Sequence, residues 1–156
     1  MSNTKTKSTV STMEHIRILL DQGRAQEALN LIEHLGQNSP VMENARGVCL
    51  LRLGRFEEAI LALREITFQG YVCIPRETPA IFQTNFATAL LLANHKDAAI
   101  NIIHRLDEKQ HPAIARLKSA IERWKKGLRP LLKMRCAMGF YPACPVLLDF
   151  APGDLE

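Results

Sequence analysis

The chain has 156 residues, 47% of them apolar, and a formal net charge of +4 at neutral pH. This length suits one domain that buries its own core, so folding requires neither a metal ion nor disulfides. The longest uninterrupted apolar runs, such as Ala89–Ala93, are far shorter than the ~20 residues that span a bilayer. Because Met1–Thr12 also lacks the apolar stretch of a secretory signal, we expect a cytoplasmic protein without a membrane partner.

Apolar residues recur at helical spacing in seven segments, which are separated by residues that break or end helices. A segment rich in Ser, Thr and Lys, 1–12, precedes the first helix and is expected to be flexible. The predicted helices are Met13–Asp21, Ala25–Leu35, Val41–Leu53, Phe56–Phe68, Ala80–Ala93, Lys96–Leu106 and Ala113–Lys126. The first six form three pairs, and the seventh is expected to cap them.

Short turns join the two helices of each pair. Gly23 and Gly54 lie in the first two turns, and Asn94 lies in the third. Asn is one of the few residues other than Gly that tolerate the left-handed conformation favoured by such turns. A longer break, Gln69–Pro79, separates the second pair from the third, and its prolines exclude a continuous helix.

The last part of the chain, 128–156, follows a different pattern. Its prolines exclude a long helix, yet it is too apolar to be an ordinary solvated linker. Such a tail either packs on the domain or remains available to a partner. Within it, 131–150 is compatible with a peptide that occupies the protein's own groove, with a dimerisation arm that makes a homo-oligomer, or with a segment packed near Trp124.

The repeated helix pair, clearest over Asn44–Ile60, resembles the tetratricopeptide repeat. The small residue that opens the second helix of each pair falls on Ala28, Ala59 and Ala99, at spacings of 31 and 40 where the family has ~34. The resemblance covers about 13–112. It implies an all-α fold, in which three antiparallel helix pairs form a right-handed superhelix over 13–127, with a C-terminal capping helix and an irregular tail.

In this family, ligand peptides lie along the concave face made by the first helix of each pair. The resemblance therefore implies a non-enzymatic adaptor or chaperone that binds a peptide segment of another protein. In size and repeat number the chain is similar to the small helical-repeat chaperones of bacterial secretion systems. Carried over by position, the peptide-binding groove would contain Arg17, Asp21, Asn44, Val48, Arg52, Thr84, Asn85 and Thr88.

Catalytic and metal-binding patterns are not found in the sequence. The five histidines are scattered, and no Gly-rich phosphate loop or nucleophile motif occurs. The four cysteines, of which Cys49 lies in a predicted helix, lack the close spacing of zinc ligands. We therefore expect no catalytic residue, no metal site and no cofactor.

Positive charge is concentrated in 116–135, where only Glu122 opposes eight basic residues. A nucleic-acid-associated protein is the alternative interpretation of this region, because phosphate contacts give affinity that is independent of base sequence. Since no recognition motif accompanies it, we favour a charged capping helix that keeps the end of the stack soluble, with nucleic acid an unlikely partner. The basic patch consists of Arg116, Lys118, Arg123, Lys125, Lys126 and Arg129.

Overall fold

A computed structural model describes residues 3–36, 39–107, 109 and 111–155, with side chains from Thr12 onward. These residues form eight α-helices and no strand, which confirms the predicted all-α class. The helices are α1 Asn3–Asp21, α2 Ala25–Leu35, α3 Pro40–Arg52, α4 Phe56–Phe68, α5 Ala80–Leu92, α6 Lys96–Arg105, α7 Pro112–Gly127 and α8 Pro130–Ala137. In this part of the chain, no helix combines the length and the apolar content needed to cross a bilayer.

The helices from α2 to α7 begin and end within one residue of the predicted bounds. Local chemistry explains two of the starts. Ser39 accepts a hydrogen bond from the Met42 N–H at 3.2 Å, and Pro40 follows it at the first helical position. At the start of α7, His111 Nδ1 accepts from the Ala113 N–H at 3.1 Å, and a proline follows it in the same way. In both cases a side chain accepts a hydrogen bond from a backbone N–H that has no partner within the helix. The proline, which has no N–H, removes another such donor.

The three turns inside the helix pairs repeat one geometry. Gly23, Gly54 and Asn94 have φ angles of +73°, +74° and +70°. The next residue in each turn donates its N–H back across five residues, from Arg24 to Leu19 at 2.8 Å, from Arg55 to Leu50 at 2.9 Å, and from His95 to Leu90 at 2.7 Å. Asn94 therefore makes the turn that Gly makes in the other two pairs, as its tolerance of the left-handed region predicts.

Helices pack in chain order, each against the next, and α3, α5 and α7 also contact one another in succession. The core follows the apolar stripes of these helices. Helices α3 and α4 approach closely at Gly47, where an added Cβ would lie 2.5 Å from Leu63 Cγ. Only glycine permits this separation of the two helices. One face of α3 and one face of α5 meet the last described residues of the chain, which contact both helices.

Two segments differ from the sequence-based expectation. Helix α1 begins at Asn3, so the expected flexible segment 1–12 is helical from that point, because a helix nucleated by its packed turns extends at little cost into a neighbouring polar sequence. The expected irregular tail contains α8, which begins with Pro130 at the first helical position, as α3 and α7 begin with proline, but without a side-chain cap.

Candidate binding site

The C-terminal tail, 138–155, follows α8 and runs back across α7 to α3 and α5. Val146 and Gly153 are buried within it, and Leu148, Phe150 and Leu155 are half-buried against the core. Near its start, Tyr141 packs on Trp124 of α7 with ring centroids 6.5 Å apart. The tail therefore packs on the domain, and its first part lies near Trp124, one of the arrangements that the sequence left open.

Two buried asparagines bind the main chain of the tail. Asn85 Oδ1 accepts from the Asp154 N–H at 3.0 Å, while Asn85 Nδ2 donates to the Asp154 carbonyl at 2.7 Å. Asn44 Nδ2 donates to the same carbonyl at 3.3 Å, and its Oδ1 accepts from Asn85 at 2.8 Å. Both asparagines are 1% exposed, so an amide left without partners there would cost about 1–3 kcal/mol. The tail backbone supplies these partners.

Arg52 connects the tail to α1. Its Nη1 donates to the Leu20 carbonyl at 3.0 Å, and its Nη2 donates to the Gly153 carbonyl at 3.4 Å. The Nε atom is buried, and no acceptor lies within hydrogen-bonding distance among the described residues. The guanidinium group therefore has a buried Nε–H without a partner among these residues.

Gly153 lies where a side chain would be strained and crowded. Its φ angle is +81°, a conformation that disfavours residues other than Gly. A Cβ added here would lie 3.1 Å from both Leu51 Cδ1 and Val48 Cγ2. Two features therefore favour glycine at this position of the bound segment, the backbone conformation and the limited space.

Basic residues of α7 bind the acidic residues of the tail. Arg116 forms an ion pair with Asp154, and its guanidinium carbon lies 5.3 Å from the centroid of the Phe150 ring. Arg123 forms a second ion pair with Asp149, with 2.6 Å between Nη2 and Oδ1. Part of the positive charge of the basic patch is thus neutralised by the protein's own tail.

A crevice of about 280 Å³ remains open beside the end of the tail. It lies between α1, α3 and the tail, and its wall is lined by Arg17, Leu20, Asp21, Arg52, Asp154 and Leu155. The site therefore continues beyond the residues that the tail covers.

The structure brings most of the predicted groove residues together. Asn44, Arg52 and Asn85 hydrogen-bond the tail, and the side chain of Val48 faces Gly153. In the crevice, Arg17 and Asp21 lie beside Arg52.

Thr84 and Thr88 are placed differently. Both are buried, and their hydroxyls donate to carbonyls of their own helix, at Ala80 and Thr84 respectively. Residues 84 and 88 thus belong to the packing of α5, and their hydroxyls do not reach the tail.

The predicted basic patch is divided among several environments. Arg116 and Arg123 form ion pairs with the tail. The Nζ atom of Lys125 lies 5.9 Å from the Tyr141 ring centroid. Lys118 donates a hydrogen bond to the Leu106 carbonyl at 3.0 Å. Lys126 lines a second crevice, between α7 and α8, and Arg129 is the exposed residue before α8. These residues do not form one continuous surface of unpaired charge.

The second crevice, about 410 Å³, accompanies an exposed apolar surface. None of the residues of α8 is buried, and this region exposes four large apolar side chains, Leu131, Met134, Met138 and Phe140. No acidic residue occurs between Glu122 and Asp149, so the charge around this surface is positive.

Two residues of this contact region were not recognised from the sequence. Gly153 and Asp154 lie in a stretch whose Pro and Gly indicated only irregular structure. The available signal was the pairing of an acidic C-terminal segment with the basic run of α7, but sequence alone does not place them in contact.

Cys49 of α3 is a free, buried thiol. Burial raises the pKa of the Cys49 thiol to about 12, so this side chain remains protonated at neutral pH. Within the described part of the chain, no three His, Cys, Asp or Glu side chains are grouped so as to hold a metal ion.

Comparison of the chain with protein-family models, with curated proteins and with solved structures gives no match. A function must therefore be inferred from the contacts between the tail and the helices.

Proposed function

We propose that this protein is a non-enzymatic interaction module, an adaptor or chaperone, that binds an extended segment of a partner protein. The binding surface would be the face that α1, α3, α5 and α7 direct toward the tail. We further propose that the helix pairs form a superhelix like that of the tetratricopeptide repeat, in which this face is a concave groove. The repeated turn geometry and the successive packing of α3, α5 and α7 support this arrangement.

The observation that carries the proposal is the pairing of Asn85 with both main-chain groups of Asp154. Every non-proline residue has one N–H and one carbonyl, so an amide that binds both can bind an extended chain of varied sequence. Asn44 and Arg52 extend the same chemistry toward α1, where the crevice at Arg17 and Asp21 offers further surface. A rigid wall of helices that presents main-chain partners is suited to holding a peptide.

Site-specific photo-crosslinking would test this proposal in cells that express the protein. A benzophenone amino acid would replace Asp21, which is exposed at the mouth of the crevice, and in a control chain it would replace Glu65, exposed on α4. We expect protein adducts at position 21, with the crosslinks located in extended segments of the captured proteins. Equal capture at both positions, or no capture at position 21, would contradict the groove assignment.

The nucleic-acid alternative predicts a different dependence on salt. Binding through phosphates would weaken by a factor on the order of 10³ when the salt concentration rises severalfold. Recognition of a main chain by Asn44 and Asn85 is only weakly affected by salt, because neither side chain is charged. A steep, linear log–log salt dependence of the captured complex would therefore favour nucleic acid.

A further inference from the structure

We propose that the end of the tail, 149–155, is a built-in competitor for the binding site, and that partners displace it with a segment of the same chemistry. That segment would present, in order, a glycine, an acidic residue and an apolar residue, as Gly153, Asp154 and Leu155 do. This inference rests on the proposed function and names the kind of ligand that the same site takes.

Each position of this pattern follows from a contact. Glycine is favoured because φ is positive, a conformation that strains other residues, and because an added Cβ would crowd the side chains of Val48 and Leu51. An acidic side chain is favoured because Arg116 pairs with the carboxylate of Asp154.

The third position is apolar because Leu155 packs half-buried against the core. The asparagines fix the register of the segment by binding the main chain at the acidic residue.

The tail is an incomplete occupant of the site, and for this reason it can be displaced. Arg52 Nε has no acceptor among the described residues, and the bonds to the Gly153 and Asp154 carbonyls from Arg52 and Asn44 are long, 3.4 Å and 3.3 Å. Among the described residues, none fills the crevice between α1 and α3 next to Leu155. A partner segment that replaces the tail and continues into this crevice can cover more surface than the tail does.

A competing tail lowers the apparent affinity for a partner. The measured dissociation constant is the intrinsic one divided by the fraction of molecules in which the site is open. Because the tail belongs to the same chain, its local concentration is high, and only ligands that bind more tightly than the tail occupy the site. Weak, nonspecific peptides are thereby excluded.

The test uses the full chain with Gly153→Val, which we expect to expel the tail through backbone strain and crowding, and which alters no residue of the helices. The matched control is Gly70→Val, because Gly70 has nearly the same φ angle, +80°, but no atom within 4 Å of an added Cβ. The probe is a fluorescent peptide of residues 148–155, and fluorescence anisotropy measures its binding. We expect the Gly153→Val chain to bind this peptide at least about tenfold more tightly than the wild-type and Gly70→Val chains do.

Variant peptides test the pattern. The peptide that carries Gly153→Val should bind the Gly153→Val chain several-fold more weakly than the wild-type peptide does, and the peptide that carries Asp154→Asn about twofold more weakly at low salt. If all three peptides bind equally, the proposed pattern of glycine, acidic residue and apolar residue is wrong. The groove would still bind a peptide, and the proposed function would stand.

Hydrogen exchange of the tail tests whether the tail leaves the site. In the wild-type chain, excess peptide should increase exchange in 149–155, and Gly153→Val should do the same without peptide. Continued protection in the Gly153→Val chain, unfolding of that chain, or a released tail with no peptide binding would each overturn the competitor role. The crosslinking at position 21 would still decide the proposed function independently.

Discussion

Asn85 and Asp154, which are 69 residues apart in the chain, exchange two hydrogen bonds through one side-chain amide and one backbone unit. This reciprocal pairing resembles what a neighbouring β-strand offers, but a helix supplies it. It fixes which residue of the tail lies at α5, and Asn44 reinforces the same position from α3. Recognition at this point depends on main-chain groups, while the selectivity for side chains resides in the residues around it.

Replacing Asn85 with Ala should release the end of the tail. The change removes both bonds to Asp154 and leaves the buried Asn44 without its side-chain donor, so we expect a loss of about 2 kcal/mol in the free energy that holds the tail. Hydrogen exchange of 149–155 should accelerate strongly while exchange in α4 changes little. Asn101→Ala, at an exposed position of α6, is the control and should leave the tail protected.

The ion pair between Arg116 and Asp154 should contribute modestly and depend on salt. The two side chains are 45% and 29% exposed, so solvent screens much of their attraction. We would measure the free energy that holds the tail by hydrogen exchange in a double-mutant cycle with Arg116→Gln and Asp154→Asn. The coupling energy between the two side chains should be about 0.5 kcal/mol at low salt.

The same cycle at ~1 M salt should give a coupling near zero, because the Debye length is then only about 3 Å. The exposed pair Arg24–Glu27 serves as a control, since removing it should not change hydrogen exchange in the tail. A coupling that survives high salt would mean that Asp154 is held by packing and hydrogen bonds rather than by charge.

Most of the helical architecture was predictable, because apolar periodicity and turn residues are local signals. The bounds of α4 follow from Gly54 on one side and the apolar spacing up to Phe68 on the other. The lengths of α1 and α8 were not predictable in this way. Helix α1 extends into a sequence without an apolar stripe, and α8 buries none of its residues.

The binding site was predictable only in part. Asn44 and Asn85 were placed on one face by the resemblance, and the structure joins them through a hydrogen bond. Thr84 and Thr88 were placed on the same face, but their hydroxyls satisfy carbonyls within α5. The contact of Gly153 with Val48 spans more than a hundred residues and depends on the path of the tail, which no periodicity encodes.

Gly47→Ala should destabilise the protein although Ala is the better helix former. The added Cβ would lie 2.5 Å and 2.6 Å from Leu63 atoms, and Leu63 is fully buried, so α3 and α4 would have to move apart. We expect a loss of about 1–3 kcal/mol in the free energy of unfolding, measured by urea denaturation. Gly127→Ala is the matched control, because a Cβ there meets no atom within 4 Å, and it should be neutral or slightly stabilising.

Ionisation of Cys49 should weaken the fold at alkaline pH. Burial raises the pKa of this thiol from its ordinary value of 9.0 to about 12, whereas the unfolded chain keeps the ordinary value. Between these two pH values the native state holds a proton that the unfolded state has released. The stability that the buried, protonated Cys49 thiol contributes is therefore fully present below pH 9 and is lost as the pH rises toward 12.

From pH 8 to pH 10 this group should lower the free energy of unfolding by about 1.4 kcal/mol, the equivalent of one pKa unit. Urea denaturation across this range should show that Cys49→Ala, although less stable at pH 8 because of its cavity, has a pH dependence shallower than that of the wild-type chain by this amount. Cys73→Ala is the control, since Cys73 is exposed, and it should keep the wild-type slope. Parallel pH profiles for the wild-type and Cys49→Ala chains would mean that water reaches Cys49 in the native protein and that α3 is packed less tightly than its burial indicates.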